Sequence, residues 1–408
     1  MASWQKEISS DIVGKILGFL ISPFLGGVIS IRRINTKSSF IIFFLFAVIF
    51  GLSFETSIGK DETHRGDAAQ YRYKFEYYSE ISKGDMSDII TAYSTFEDGE
   101  TRDIYVPFMS FVTSRISRNY HIFFALLACV FSFIMLKSLK FFTNELPERK
   151  NLSVFILLYL FALSNSIFNI NGCRFWTAAW LAVYSMFQIF LNGNRRYYLL
   201  AAITPMIHAS YWFFLGILTI TFFLRNNLRF WKVLFFLSFI LSSISMELIV
   251  DASDYLPPAL QFLVERYTES EHEVKNNLYQ VLSRMFDFAG MAVRVYMVYL
   301  LMSHEKIVMS NPKTQRLYPL ILVFMSICQF VMPIPSLGKR YIVLSLPLLA
   351  YVWYITFEKQ VKYRNVLVLY MCTSIMDVYE LLMDYLMYSV PISFYYTSPV
   401  YLIFNNIL

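Results

Sequence analysis

Apolar runs of about 16 to 21 residues recur along most of this chain, and no other feature limits its fold so strongly. Wound as a helix at 1.5 Å per residue, each run crosses most or all of the ~30 Å hydrocarbon core of a bilayer. Runs such as FIIFFLFAVIF (40–50) and VLFFLSFILSS (233–243) do not alternate apolar with polar residues, which sets aside a transmembrane β-barrel. Composition agrees: 57 % hydrophobic, 18 % aromatic and 16 % charged residues, with a mean hydropathy of +0.49, fall outside the soluble globular range. The expected fold is an all-α polytopic membrane protein forming a single transmembrane helical domain over residues 1–408.

Candidate spans are 12–31, 38–56, 120–138, 152–170, 174–191, 197–224, 232–250, 284–303, 317–334, 340–357 and 365–388. Short loops between them carry a cationic bias, as at Arg32 and Arg33, Lys140 and Lys150, Arg195 and Arg196, Arg225 and Arg229, Lys313 and Arg316, and Lys359 and Lys362. The positive-inside rule makes these loops cytoplasmic. Segment 197–224 has basic residues at both ends and is too long for one simple crossing, so it is expected to be a bent pair broken near Pro205 to Ala209, with His208 at the break. The total is then about 11–12 transmembrane helices. Two longer external segments remain, 57–119 and 251–283, which are expected to be the larger periplasmic loops. The first span, with Lys15 and Pro23 inside it, either crosses or lies in the interface. No removable signal peptide is assigned. The net charge of +6 is spread over short loops, which speaks for membrane orientation and against nucleic acid.

The segment DETHRGDAAQYRYKFEYY (61–78) follows a hydrocarbon-like stretch with a cluster of charges and aromatics. Either it is a solvated loop, or it is a phosphate and sugar site in which arginine forks grip phosphate oxygens and aromatic faces stack on pyranose rings. Arg174 follows the turn NING and opens a helix, and Arg340, after Gly338 and Lys339, repeats that arrangement. Each either snorkels to the interface or joins the free N–H groups of its helix start on an anion. His208 is either tied to a neighbouring helix or lines a cavity as a general base. Arg284, Asp287 and Arg294 share a helix face, as do Asp377, Glu380 and Asp384; structural pairing between the faces is expected, with Arg294 also able to touch substrate. Cys129, Cys173, Cys328 and Cys372 are widely spaced and expected to be free thiols. There is no GxxxxGK[ST], no HExxH and no CxxC, so neither a cofactor nor a metal is expected.

Four stretches carry a family likeness. RGDAAQYRYKF, with Arg65, Gly66, Asp67, Tyr71 and Phe75, is similar to the signature that follows the early hydrophobic span of the EpsG family of exopolysaccharide polymerases, relatives of the Wzy-type O-antigen polymerases. Arg65 stands directly beside Gly66, where that signature has a gap. NGCRFWTAAWLAVYS (171–185), MIHASYWFF (206–214) and GKRYIVLSLPLL (338–349) resemble the family's arginine-opened helix, His-x-Ser element and late Arg-aromatic element. The resemblance implies a GT-C-like bundle in the cell inner membrane that joins oligosaccharide repeat units carried on undecaprenyl diphosphate. Donor and acceptor would both be undecaprenyl-diphosphate-linked, the active site would face the periplasm, and a chain-length regulator would be a partner beside the bilayer. On this reading His208 or Asp67 takes the acceptor proton, Arg174 and Arg340 hold the diphosphate, Arg65 and Arg72 bind the same anion or a second carrier, Tyr71 stacks on sugar, and Arg294 reaches substrate. A ligase, a flippase or transporter of the same lipid-linked sugar, and a membrane acyltransferase are the competing readings.

Overall fold

The structure is a computed structural model that describes residues 4–56, 67–80, 103–147, 150–162, 165–242, 278–334, 337–382 and 390–407, with a few single positions between 244 and 255. Every regular element among the described residues is helical. In chain order these are α1 (Ser9–Ile21), α2 (Pro23–Ile31), α3 (Lys37–Leu52), α4 (Asp67–Glu80), α5 (Tyr105–Ser114), α6 (Tyr120–Thr143), α7 (Leu152–Ala162), α8 (Cys173–Met186), α9 (Tyr197–Ala202), α10 (Thr204–Ile207), α11 (Trp212–Leu224), α12 (Leu228–Leu241), α13 (Leu278–Ser303), α14 (Glu305–Ser310), α15 (Leu317–Phe330), α16 (Gly338–Phe357), α17 (Arg364–Thr373), α18 (Ile375–Glu380) and α19 (Pro399–Ile407). Four stretches, 120–143, 152–191, 281–303 and 338–357, are long and apolar enough to cross a membrane, and shorter apolar helices accompany them. The protein is a multi-pass membrane protein.

Local sequence explains where the helices start. Thr36, Asn119 and Asn227 place side-chain oxygens on the first free N–H groups of α3, α6 and α12. At Ser22 the span expected over 12–31 divides, because Pro23 has no N–H with which to continue α1, and Ser22 Oγ instead caps α2. The two short helices fold back on one another, which brings Lys15 beside Thr36 and Ser38. The span expected over 365–388 divides similarly at Ser374, between α17 and α18; residues 383–389 lie outside the described residues.

Two hairpins decide which residues reach the same end. Over 152–191 the chain does not run straight. Asn165 receives the Trp180 indole N–H at 2.9 Å on its carbonyl, while Phe161 stacks near both Trp180 and Phe187, so α7 and α8 are antiparallel arms around the 3₁₀ turn Ile167–Gly172. Over 197–224 the helix is interrupted at His208, whose backbone is extended (φ −151°, ψ 118°). Tyr198 and Phe222 then meet with ring centroids 6.0 Å apart, so the arms return to the same end, in the bent-pair arrangement expected from the basic flanks. At about 16 and 24 Å by helical rise, neither arm is a full crossing.

The bundle closes around α16, which is buried along most of its length. Close approaches depend on two glycines. A Cβ on Gly51 would lie 2.5 Å from the Phe124 carbonyl oxygen, so only glycine lets α3 pack so tightly on α6. A Cβ on Gly338 would lie 2.3 Å from Met332 Cα, so the turn that delivers Lys339 and Arg340 likewise requires glycine. The basic loops gather at one end, where Lys150 Nζ donates to the Arg32 carbonyl, Lys313 pairs with Glu145 at 2.6 Å, and Lys232 pairs with Glu305. Arg174, His208 and Arg340 stand at the other.

Candidate functional site

From Asp67 onward the aromatic and charged segment is a helix laid on the bundle. Ala68, Tyr71 and Phe75 recur at helical spacing and are buried, Phe75 stacking on Phe123 with centroids 4.9 Å apart. Asn171, in the 3₁₀ turn before α8, accepts the Ala68 N–H at 3.1 Å, which fixes the start of α4 against the start of α8.

That contact sets Arg174 beneath α4. Its Nε donates to the Tyr71 hydroxyl at 3.0 Å, and its Nη1 donates to Asp103 Oδ2 at 2.8 Å. The Arg174 and Asp103 side chains are 11 % and 2 % exposed, so this ion pair is largely withdrawn from water. Asp103 is held from behind as well, since the next residue, Ile104, donates its N–H to the Met206 carbonyl at 3.0 Å, in the turn that leads to His208. Burial pushes the Asp103 carboxyl up to about 6, against the opposing charges of Arg174 and Lys74. Burial likewise raises the Tyr71 hydroxyl well above its ordinary value, so it is a neutral O–H. Gln70, Tyr71, Lys74, Asp103, Val106, Pro107 and Arg174 line a narrow cleft that is partly open to solvent.

Phe175 joins this pair to the other two predicted groups. Its ring meets His208 edge-on with centroids 5.4 Å apart, and the Arg340 guanidinium lies 5.6 Å from its centroid. The charges of Arg174 and Arg340 both bear on the His208 imidazole. Arg340 is exposed and has no hydrogen-bond or ion-pair partner among the described residues, whereas its neighbour Lys339 pairs with Asp287. His208 Nδ1 accepts the Ser210 N–H at 3.3 Å and lies 2.8 Å from Ser210 Oγ, which in turn is 2.8 Å from the Tyr341 hydroxyl. A neutral ring that accepts at Nδ1 carries its proton on Nε2, so in this arrangement His208 offers a donor.

The remaining predicted residues fall elsewhere. Asp67 opens α4, is exposed, and has its charge near Tyr71 and Cys173. Tyr71 is 3 % exposed and engaged by Arg174, which leaves no open ring face for a sugar. Arg72 is tied to Glu76 at 2.7 Å and lies 3.8 Å from the Tyr120 ring centroid, anchoring α4 to α6. Arg294 lies among Tyr159, Tyr370 and Asp377, between α13, α7 and the α17–α18 segment. Its charge bears on the Asp377 carboxyl, while Asp287 pairs with Lys339 on α16 instead. Arg65 and Asp384 lie outside the described residues. The four cysteines are unpaired, and no metal-ligand cluster occurs among the described residues.

Asp103 has no place in the sequence-derived site. Its signal is indirect: an arginine at a buried helix start needs a counter-ion, and Asp103 directly precedes the apolar run IYVPF that opens α5.

Neither the curated proteins nor the solved structures contain a significant match to this chain. A family pattern does match, over residues 36–390, which takes in α4, Asp103, both hairpins and the start of α16; the chain belongs to the EpsG family.

Proposed function

We propose that this membrane protein of polysaccharide biosynthesis is a polymerase that joins oligosaccharide repeat units carried on undecaprenyl diphosphate, working at the periplasmic side of the cell inner membrane. The observation that carries the reading is the meeting of Arg174, Arg340 and His208 around Phe175 at the end of the bundle opposite the basic loops. A diphosphate-activated sugar needs no cofactor, because the leaving group is already in place and the protein has only to stabilise its departing charge. Arg340, exposed and without an acidic partner among the described residues, is the cation suited to the diphosphate. His208, as an Nε2–H donor, suits a phosphate or leaving oxygen beside it. Arg174 spans Tyr71 and Asp103, with Nη2 left without a hydrogen bond among the described residues. The other cell-surface features of the reading, the inner membrane and the chain-length regulator, rest on family likeness.

The decisive experiment supplies purified protein in nanodiscs with one synthetic polyprenyl-diphosphate repeat unit and no membrane gradient. Ladders of two, three and more units support the polymerase. Single transfers onto a different lipid would make the protein a ligase, and no new glycosidic bond with the lipid moved across a membrane would make it a flippase.

A further inference from the structure

We propose that Asp103 is the catalytic base, its Oδ1 oxygen taking the proton from the sugar hydroxyl that attacks the donor. This rests on the glycosyl-transfer reading above and gives that reaction its proton acceptor. Three observations point to Asp103. Its Oδ2 is fixed by Arg174 Nη1 at 2.8 Å, while Oδ1 accepts no hydrogen bond from any described residue. The carboxylate lines the cleft at the Arg174 end, with Gln70 and Lys74 on the facing helix. The backbone on its C-terminal side is tied to the 206–208 turn, so the orientation of the carboxylate is set from two directions. The two groups expected to act as base are less suited: His208 presents a donor, and Asp67 is exposed at a helix start.

The step balances without a co-reactant. A lone pair of the acceptor hydroxyl oxygen forms the new bond to the donor's anomeric carbon. The bond from that carbon to the phosphate oxygen breaks, with its electrons leaving on the polyprenyl diphosphate beside Arg340. The hydroxyl proton passes to Asp103 Oδ1 and thence to water. A single displacement of this kind inverts the anomeric configuration. The charged and titratable groups facing Asp103 are Arg174 and Cys173 on α8 and Lys74 and Tyr71 on α4. Burial outweighs the cations and keeps the carboxyl near 6, where it is both largely ionised at neutral pH and basic enough to accept a proton.

The test is the elongation assay with purified protein and a synthetic polyprenyl-diphosphate repeat unit, run beside a binding assay for that donor. Asp103→Asn should lower kcat by about 10²- to 10⁴-fold with donor affinity changed only a few-fold, and formate should restore turnover to Asp103→Gly. The kcat/KM of the wild-type protein should rise with pH through about 6, and the rise should be missing from the residual activity of Asp103→Asn. Product linkages should be inverted relative to the donor. Wild-type kcat in Asp103→Asn, failure of formate to rescue a folded Asp103→Gly, or retention of configuration overturns the proposal. If loss of the counter-ion to Arg174 prevents folding, Asp103→Glu keeps the pair and displaces the free oxygen; it should bind donor normally with lowered kcat, and an unchanged kcat overturns the assignment. A wild-type protein that forms no glycosidic bond defeats the glycosyl-transfer reading itself, whereas an active wild type alongside a fully active Asp103→Asn defeats the base alone.

Discussion

Two buried ion pairs sit at opposite ends of this bundle, and they differ in what they leave unused. Lys15, 2 % exposed, directs its ammonium to Glu7 Oε1 at 3.1 Å, Thr36 Oγ1 at 2.8 Å and Ser38 Oγ at 2.8 Å, which occupies all three donors. Glu7 is also satisfied, accepting from the Ser38 N–H at 3.1 Å and from the Ser38 hydroxyl. Among the described residues Arg174 engages only Nε and one Nη, and the Oδ1 of its partner Asp103, a residue that lines a cleft, accepts no hydrogen bond. A closed network has nothing to offer a ligand and can only fasten α1 to the start of α3. An open one, desolvated yet incomplete, is strongly polarised toward whatever completes it. Burial alone does not separate structural from chemical charges here; the remaining hydrogen-bond capacity does.

The largest effect should come from Arg174→Ala. It strands the Asp103 carboxylate in a site 2 % exposed, a loss of about 3–5 kcal/mol for one partner of a buried pair. Elongation should also disappear from whatever protein remains folded. Adding Asp103→Asn to Arg174→Ala should recover much of the thermal stability in detergent and none of the turnover. Next in size, Lys15→Met should strand Glu7, which is 12 % exposed, at a cost of about 1–3 kcal/mol, while turnover per folded molecule stays at the wild-type level. A Lys15→Met protein that unfolds normally but elongates poorly would break the contrast between fastener and site.

Much of the fold was legible because hydrophobic periodicity and basic flanks report it directly. The bent pair at His208 followed from cations at both ends of 197–224, and the α7–α8 turn followed from NING. The division at Ser22 was less visible, because hydropathy does not register that Pro23 lacks an N–H and that Ser22 can cap. At the site, Arg174, Arg340 and His208 stood out because each is polar at an apolar helix end, a local property. Tyr71, a sugar platform by its sequence setting, is instead buried under Arg174, because α4 turns that side inward and leaves Tyr73 and Tyr77 exposed. Asp103 is not legible in the sequence because its meaning comes from Arg174, 71 residues away along the chain. Pairing across that distance is tertiary information, and one sequence carries no local mark of it.

Acid should act on the two pairs in opposite directions. Burial alone would raise the Glu7 carboxyl, but hydrogen bonds from Ser38 and Lys15 outweigh it and hold the group below its ordinary 4.5. A depressed folded value means stability that is present above about 4.5 and lost as pH falls through the lower folded value. Asp103 is the reverse. Its folded value, raised by burial to about 6 from 3.8, means the fold binds a proton more readily than the unfolded chain, so its contribution grows as pH falls between those values. Thermal unfolding at a series of pH values should therefore show the difference between wild type and Glu7→Gln shrinking below 4.5, and the difference between wild type and Asp103→Asn changing across 3.8 to 6. Parallel profiles for the two variants would mean that the pairs do not differ in the way their hydrogen bonding implies.

The smallest effect, and the finest division, lies between the two arginines at the site itself. Arg174 makes two directed contacts from one planar group, Nε to Tyr71 and Nη1 to Asp103, and a lysine ammonium on a flexible stem does not reproduce that fork. Arg340 makes none among the described residues; it lies 5.6 Å from the Phe175 ring and supplies charge. A lysine there keeps both the charge and the attraction to the ring face. Arg340→Lys should therefore raise the KM for the lipid-diphosphate donor by only about 2- to 5-fold, roughly 0.5–1 kcal/mol, and leave kcat unchanged. Arg174→Lys should lower kcat much further, because Asp103 loses the contact that orients it. Equal losses in the two lysine variants would show that Arg340 also grips its anion in a fork, and would make both arginines binding groups instead of one binding and one orienting group.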